Sequence, residues 1–138
     1  MKNFFKWFKR KFVYDEFEDV KAFYEKFGQP TREGPGIMTR SRTAERINFM
    51  QEELNEFKAG AMKQDVPEMA DALIDLVYVA KGTAIEMGLP WEALWQDVQR
   101  ANMAKVPGMT SRGIVYDVKK PDGWEPPMTE EILKEHGL

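Results

Sequence analysis

The sequence has no cysteine and a single histidine, His136, third from the end. The missing cysteines exclude disulfides, thiolate nucleophiles, zinc fingers and iron–sulfur sites. One histidine near a chain end leaves no base for a Ser-His-Asp triad and no multi-histidine metal site. No apolar run approaches the ~20 residues of a membrane-spanning helix. There is no basic excess either. With 23 acidic and 20 basic residues the net charge is −3. That is not the footprint of a general nucleic-acid binder, so no nucleic acid partner is expected. What remains for chemistry is carboxylates, Lys/Arg, hydroxyls and a hard, oxygen-ligated cation such as Mg²⁺ or Mn²⁺. The 138 residues amount to one domain with one sizeable core.

The charge is unevenly spread. Residues 1–13 (MKNFFKWFKRKFV) carry Lys2, Lys6, Lys9, Arg10 and Lys11 and no acid, a charge of +5 that leaves −8 to the other 125 residues. Phe4, Phe8 and Phe12 recur at i, i+4, i+8, so the segment is amphipathic and basic. It lacks a small-residue cleavage site and does not read as a signal peptide. Three uses fit it. It packs on the domain or a sister subunit, which we place first; it touches a membrane surface; or its aromatics stack on single-stranded nucleic acid. Residues 1–18 are read as an N-terminal extension and 19–138 as the domain.

The spacing of apolar residues predicts helices over 15–27, about 42–59, 66–87, 90 to about 103, and 129–136. Gly28 and Pro30 end the first. Ile47, Met50, Leu54 and Phe57 form the apolar stripe of the second, and Gly60 is expected to break it. Asp65, two residues before Pro67, caps the third, and Gly88 closes it. Residues 28–39 read as a Gly/Pro loop. Residues 106–127 hold three glycines and four prolines around one β-like run, 113–118, read as a small hairpin or an ordered flap. The expected fold is all-α with a non-helical C-terminal arm.

The third helix contains an anomaly. From Met69 to Ala80, ten of twelve residues are apolar, and the exceptions are Asp71 and Asp75. A helix apolar nearly all round is expected to be buried, in the domain or in an oligomer. Glu68, Asp71 and Asp75, at i, i+3, i+7, line one edge of it. Like charges in a dry setting cost several kcal/mol each and call for a compensating cation. On the preceding helix, Glu53 borders the apolar stripe, Glu56 lies one turn along, and Glu52 points away. If the two helices pack antiparallel, Glu53/Glu56 and Glu68/Asp71 converge on a site for Mg²⁺. Taken singly, each acidic pair is an ordinary solvated helix face.

Glu52-Glu53-Leu54-Asn55-Glu56, then eleven residues, then Glu68-Met69-Ala70-Asp71, resembles the EExxE…ExxD signature of the MazG-like all-α nucleoside triphosphate pyrophosphohydrolases. That superfamily includes phosphoribosyl-ATP pyrophosphohydrolase and dimeric dUTPases. The segments 19–30, 71–83, 98–105 and 120–127 resemble its small, often phage-encoded members, so the likeness spans about residues 19–128. It implies hydrolysis of a nucleoside triphosphate to the monophosphate and pyrophosphate, with Mg²⁺ (Mn²⁺ also compatible) held by Glu53, Glu56, Glu68 and Asp71. Glu52 would act as base or support the ligands, and Asp75 would join a further ion or the substrate. Asn102 and Lys105 match the family's N-M-x-K and would contact the nucleotide, Lys105 at the phosphates. Lys120 is a further cation for the phosphates, as is Lys81, for which a surface role fits equally. Trp124 would close over the base; Trp91 and Trp95 fit core or interface better. The likeness also implies a homodimer or homotetramer with a four-helix bundle core, in the cytoplasm (that of the host, if phage-encoded). A purine deoxynucleotide such as dGTP or dATP is preferred by analogy. Two alternatives stay open: phosphoribosyl-ATP hydrolysis, and a non-catalytic helical module acting through the N-terminal segment.

Overall fold

A short polar side chain stands ahead of each of the first three helices and accepts a backbone N–H that the helix itself cannot pair. Asp15 accepts from Phe17 N (2.9 Å) and opens α1, Glu16–Lys26. Thr39 accepts from Arg42 N (3.2 Å) and opens α2, Arg40–Lys63. Asp65 accepts from Glu68 N (3.1 Å) and opens α3, Val66–Glu86. There follow α4, Trp91–Met103, the strands β1, Val106–Pro107, and β2, Val118–Lys119, and α5, Thr129–Glu135. The structure, a computed structural model, describes residues 14–138. The basic aromatic stretch 1–13, and the uses weighed for it, lie outside the described residues; residues 16–18 of the extension open α1. Among the described residues the fold is all-α with one minor two-stranded sheet. Among the described residues no helix is long and apolar enough to cross a membrane.

The described residues form two compact units. The first consists of the described residues up to Thr31 together with Met38–Glu86. Here α3 packs along α2 and against α1. Val20, Tyr24 and Ile85 make the core, with Phe17 and Tyr78 packed on it. The charged centre of this unit is Glu86, which is buried. Tyr24 Oη donates to its Oε1 (2.7 Å), and Arg42 grips both oxygens through Nε and Nη2 (2.7 and 2.8 Å). Arg46 lies 3.6 Å from Oε1 and donates to Thr83 Oγ1 and to the Val79 carbonyl. Burial pushes the Glu86 carboxyl up, but the hydrogen bonds from Arg42 and Tyr24 and the two guanidinium charges outweigh it, so it is held below the usual range.

Two expectations change. Gly60 does not break α2, which continues to Lys63 and ends where Gln64 turns left-handed (φ 56°). Gly60 is instead the point where α2 and α3 nearly touch. A Cβ there would sit 3.0 Å from Met69 Cγ and 3.1 Å from Met69 N. The stripe predicted for α2 is also rotated, because Ile47 and Leu54 are exposed. The covered side carries Arg42, Arg46, Met50, Glu53, Phe57 and Gly60, since two arginines turn inward to meet Glu86. Within the single chain, α3 is covered on part of its surface. Among the described residues α1 and α2 pack on it, while Leu73, Ile74 (68% exposed) and Val77 stay open, and Asp71 and Asp75 are exposed as well.

The second unit comprises Arg32–Ile37 and Met87–Leu138. Gly36 N donates to Met87 O (3.0 Å). Gly88 adopts φ +64°, the left-handed turn expected after α3, and lies so close to the Gly34 carbonyl that no side chain fits. The arm has a different hairpin from the one expected. Only Val118 of the run 113–118 enters a strand, pairing antiparallel with Pro107, while Val106 pairs with Lys119. The reason is Asp117. Its carboxylate accepts from Thr110 Oγ1, from Arg112 Nη2 (2.6 Å) and from Val118 N (2.9 Å), folding residues 110–117 into a loop. The start of α5 is tied down by Met128 N donating to Asp97 (2.6 Å).

Candidate functional site

Gly60 faces Met69 and Arg46 reaches Thr83, so α2 and α3 run antiparallel. That register sets Glu53 against the acids of α3. Glu53 is half-buried, and its Oε2 is shielded from solvent with no hydrogen-bond partner, alone among the buried side-chain polar atoms of the described residues. Burial, and then the negative charges of Glu56, Asp75, Glu52 and Asp71, push its carboxyl above the usual range. The other four acids are exposed, so this group opens to solvent. The buried, uncompensated carboxylate is therefore Glu53 rather than Asp71 or Asp75, which the sequence had placed in a dry setting. Asp75 is a stronger neighbour of Glu53 than Asp71.

Glu68 is differently engaged. Both its oxygens accept from Lys63 Nζ, at 3.0 and 3.1 Å. Among the described residues, no three acidic side chains close into a ready metal-ligating group. The donor set nonetheless suits a hard cation. Every candidate ligand is a carboxylate oxygen, they come from facing helices, and one shielded oxygen has no positive partner.

The nucleotide-contact candidates other than Asp75 and Lys81 lie in the second unit and come together there. Asn102, in the last turn of α4, accepts from Lys105 Nζ (2.9 Å). Trp124 is half-buried and its indole Nε1 donates to the Ala101 carbonyl (2.7 Å). Lys120 Nζ lies 4.6 Å and Lys105 Nζ 5.7 Å from the centre of its ring. Asn102, Lys105, Lys120 and Trp124 are thus one positively charged patch on an aromatic platform. Lys81 is committed elsewhere, with its Nζ 2.5 Å from Glu16. Trp91 and Trp95 stack on each other, with ring centres 6.1 Å apart.

Sequence reasoning missed Lys63, because an i, i+5 pair across a helix break has no periodic signal. It also missed Arg112 and Asp117, which shape the arm from inside a loop.

The family model described as phosphoribosyl-ATP pyrophosphohydrolase matches residues 20–102, a span that contains the carboxylates of α2 and α3 and ends on Asn102. A search of curated proteins finds no match. The chain belongs to the phosphoribosyl-ATP pyrophosphohydrolase family, part of the MazG-like all-α superfamily, and is a nucleotide pyrophosphohydrolase.

Proposed function

We propose that this enzyme hydrolyses a nucleoside triphosphate, preferably a purine deoxynucleotide, to the monophosphate and pyrophosphate with the help of Mg²⁺. The observation that carries the reading is the shielded, unpartnered oxygen of Glu53, a carboxylate that also feels the negative charges of Glu56, Asp75, Glu52 and Asp71. Glu53, Glu56, Glu68 and Asp71 would hold the cation, and Mn²⁺ fits the same oxygens. Such a cation lowers the pKa of bound water and screens the charge of a triphosphate. The rest falls to the chain. Glu52, exposed beside the group, takes the proton of the attacking water, whose oxygen bonds to the α-phosphorus as the bond to the β-phosphate bridging oxygen breaks. Asp75 orients the ligands. Asn102, Lys105, Lys120 and Trp124 bind the nucleotide, the lysines at its phosphates. The proposed setting is the cytoplasm.

A second reading takes phosphoribosyl-ATP as the substrate, and the description of the matching family favours it. Both are tested by incubating the protein and Mg²⁺ with dNTPs, NTPs and phosphoribosyl-ATP and identifying products by phosphorus NMR. The expected products are pyrophosphate and a monophosphate, from a dNTP under the first reading and from phosphoribosyl-ATP under the second. Orthophosphate and a diphosphate would contradict both.

The working form is proposed to be a homodimer or homotetramer. Leu73, Ile74 and Val77 on α3, with Ile47 and Leu54 on α2, leave apolar surface exposed on one chain. Light scattering should therefore give a multiple of the 16.0 kDa chain mass, and a 16.0 kDa particle would refute the assembly.

A further inference from the structure

Lys63 and Glu68 face each other across the two-residue turn between α2 and α3. Lys63 is the last residue of α2 and Glu68 lies in the first turn of α3, with only Gln64 and Asp65 between the helices. The turn is well fixed. Gln64 N and Asp65 N donate to Ala61 O and Gly60 O, the Asp65 side chain holds Glu68 N at 3.1 Å, and Gly60 lies against Met69. The backbone of Glu68 is therefore set, and its side chain is what remains to choose a partner. The Lys63 ammonium takes both of its oxygens. Yet the pair is weakly sheltered, with 63% of the lysine side chain and 30% of the glutamate side chain exposed. An exposed ion pair of this kind exchanges readily.

Resting on the metal reading above, we propose that Lys63 is a positioning residue that occupies Glu68 in the metal-free enzyme and yields it when the cation binds. Lys63 thereby sets the cation concentration at which the site fills. Glu53 has a shielded oxygen with no donor, while Glu68 has the Lys63 ammonium as counter-charge. The ammonium and the cation compete for the same two oxygens. Removing the ammonium frees them and also removes a positive charge that repels the incoming cation.

The test uses the full chain without nucleotide, with Mn²⁺ as the probe and free Mn²⁺ read by electron paramagnetic resonance. Lys63→Met should bind Mn²⁺ about threefold more tightly than the unmodified chain, the size expected for loss of an exposed ion pair. Lys63→Arg, which keeps the charge, should bind like the unmodified chain. If Lys63→Met melts early, Lys63→Gln replaces it. Equal or weaker Mn²⁺ binding by the neutral variant overturns the role of Lys63 and leaves the metal reading standing. No Mn²⁺ binding by the unmodified chain overturns both.

Discussion

Glu53→Gln is expected to abolish pyrophosphate release and, at the same time, to raise the melting temperature of the metal-free protein at neutral pH. The two effects have one cause. Glu53 holds a carboxylate oxygen away from water with no donor, beside Glu56, Asp75, Glu52 and Asp71. A charge kept in that position costs folding free energy unless something positive arrives to meet it. Glutamine has the same shape without the charge, so the cost falls and the fold gains. Function loses what the fold gains, because the site loses its most sheltered anionic ligand. Removing one group that stabilises charge in a transition state costs about 100- to 1,000-fold in rate, and a loss of that order is expected here. A stabilised but inactive variant is the known pattern of a site held under strain for its function. Activity within about twofold of the unmodified chain, or a lowered melting temperature, would contradict this role for Glu53.

Glu86→Ala is expected to have the largest effect on stability. Glu86 is the one acid that Tyr24 of α1 and Arg42 and Arg46 of α2 all approach. Truncating it leaves a hydroxyl and two guanidinium groups without their common partner in a covered position. Breaking a buried ion pair from one side costs about 3–5 kcal/mol. That is a large share of the margin of a small domain. Chemical denaturation should show it as a drop in midpoint, and Glu86→Gln should lose less because the amide oxygen still accepts. The same network carries a pH dependence. The folded Glu86 carboxyl is held below its unfolded value of 4.5, so the stabilisation is complete above that value and is lost as pH falls through the lower, folded one. Acidification from about pH 5 to pH 3 should weaken the unmodified chain and narrow its advantage over Glu86→Gln. An unchanged gap across that range would mean that the charge of Glu86 contributes nothing.

The elements of the fold were legible because their signals are local. Asp65 ahead of one helical pattern, Gly88 after it and Pro90 before another mark boundaries that hold in the structure. The facing of the helices was less legible. A helical wheel assumes that the apolar stripe turns inward, and on α2 Ile47 and Leu54 remain exposed while Arg42 and Arg46 turn in. The cause is Glu86, some forty residues further along the chain, and no local pattern announces it. Gly60 misled for a similar reason. A glycine in a helix reads as a break until the second helix that needs the space is known. The acidic signature lies on α2 and α3, but only the packing singled out Glu53 as the shielded oxygen and Asp75 as its near neighbour on α3. Lys63 was invisible, since its partner lies beyond a turn that sequence periodicity does not cross.

The central claim is that carboxylates of α2 and α3 hold a divalent cation without which the nucleotide is not cleaved. The most direct measurement is pyrophosphate release from the preferred triphosphate by protein stripped with a chelator, before and after Mg²⁺ is restored. Stripped protein is expected to release none, the unmodified chain to recover fully with Mg²⁺, and Glu53→Gln not to recover. Sustained release from stripped protein, or full recovery by Glu53→Gln, would contradict that claim.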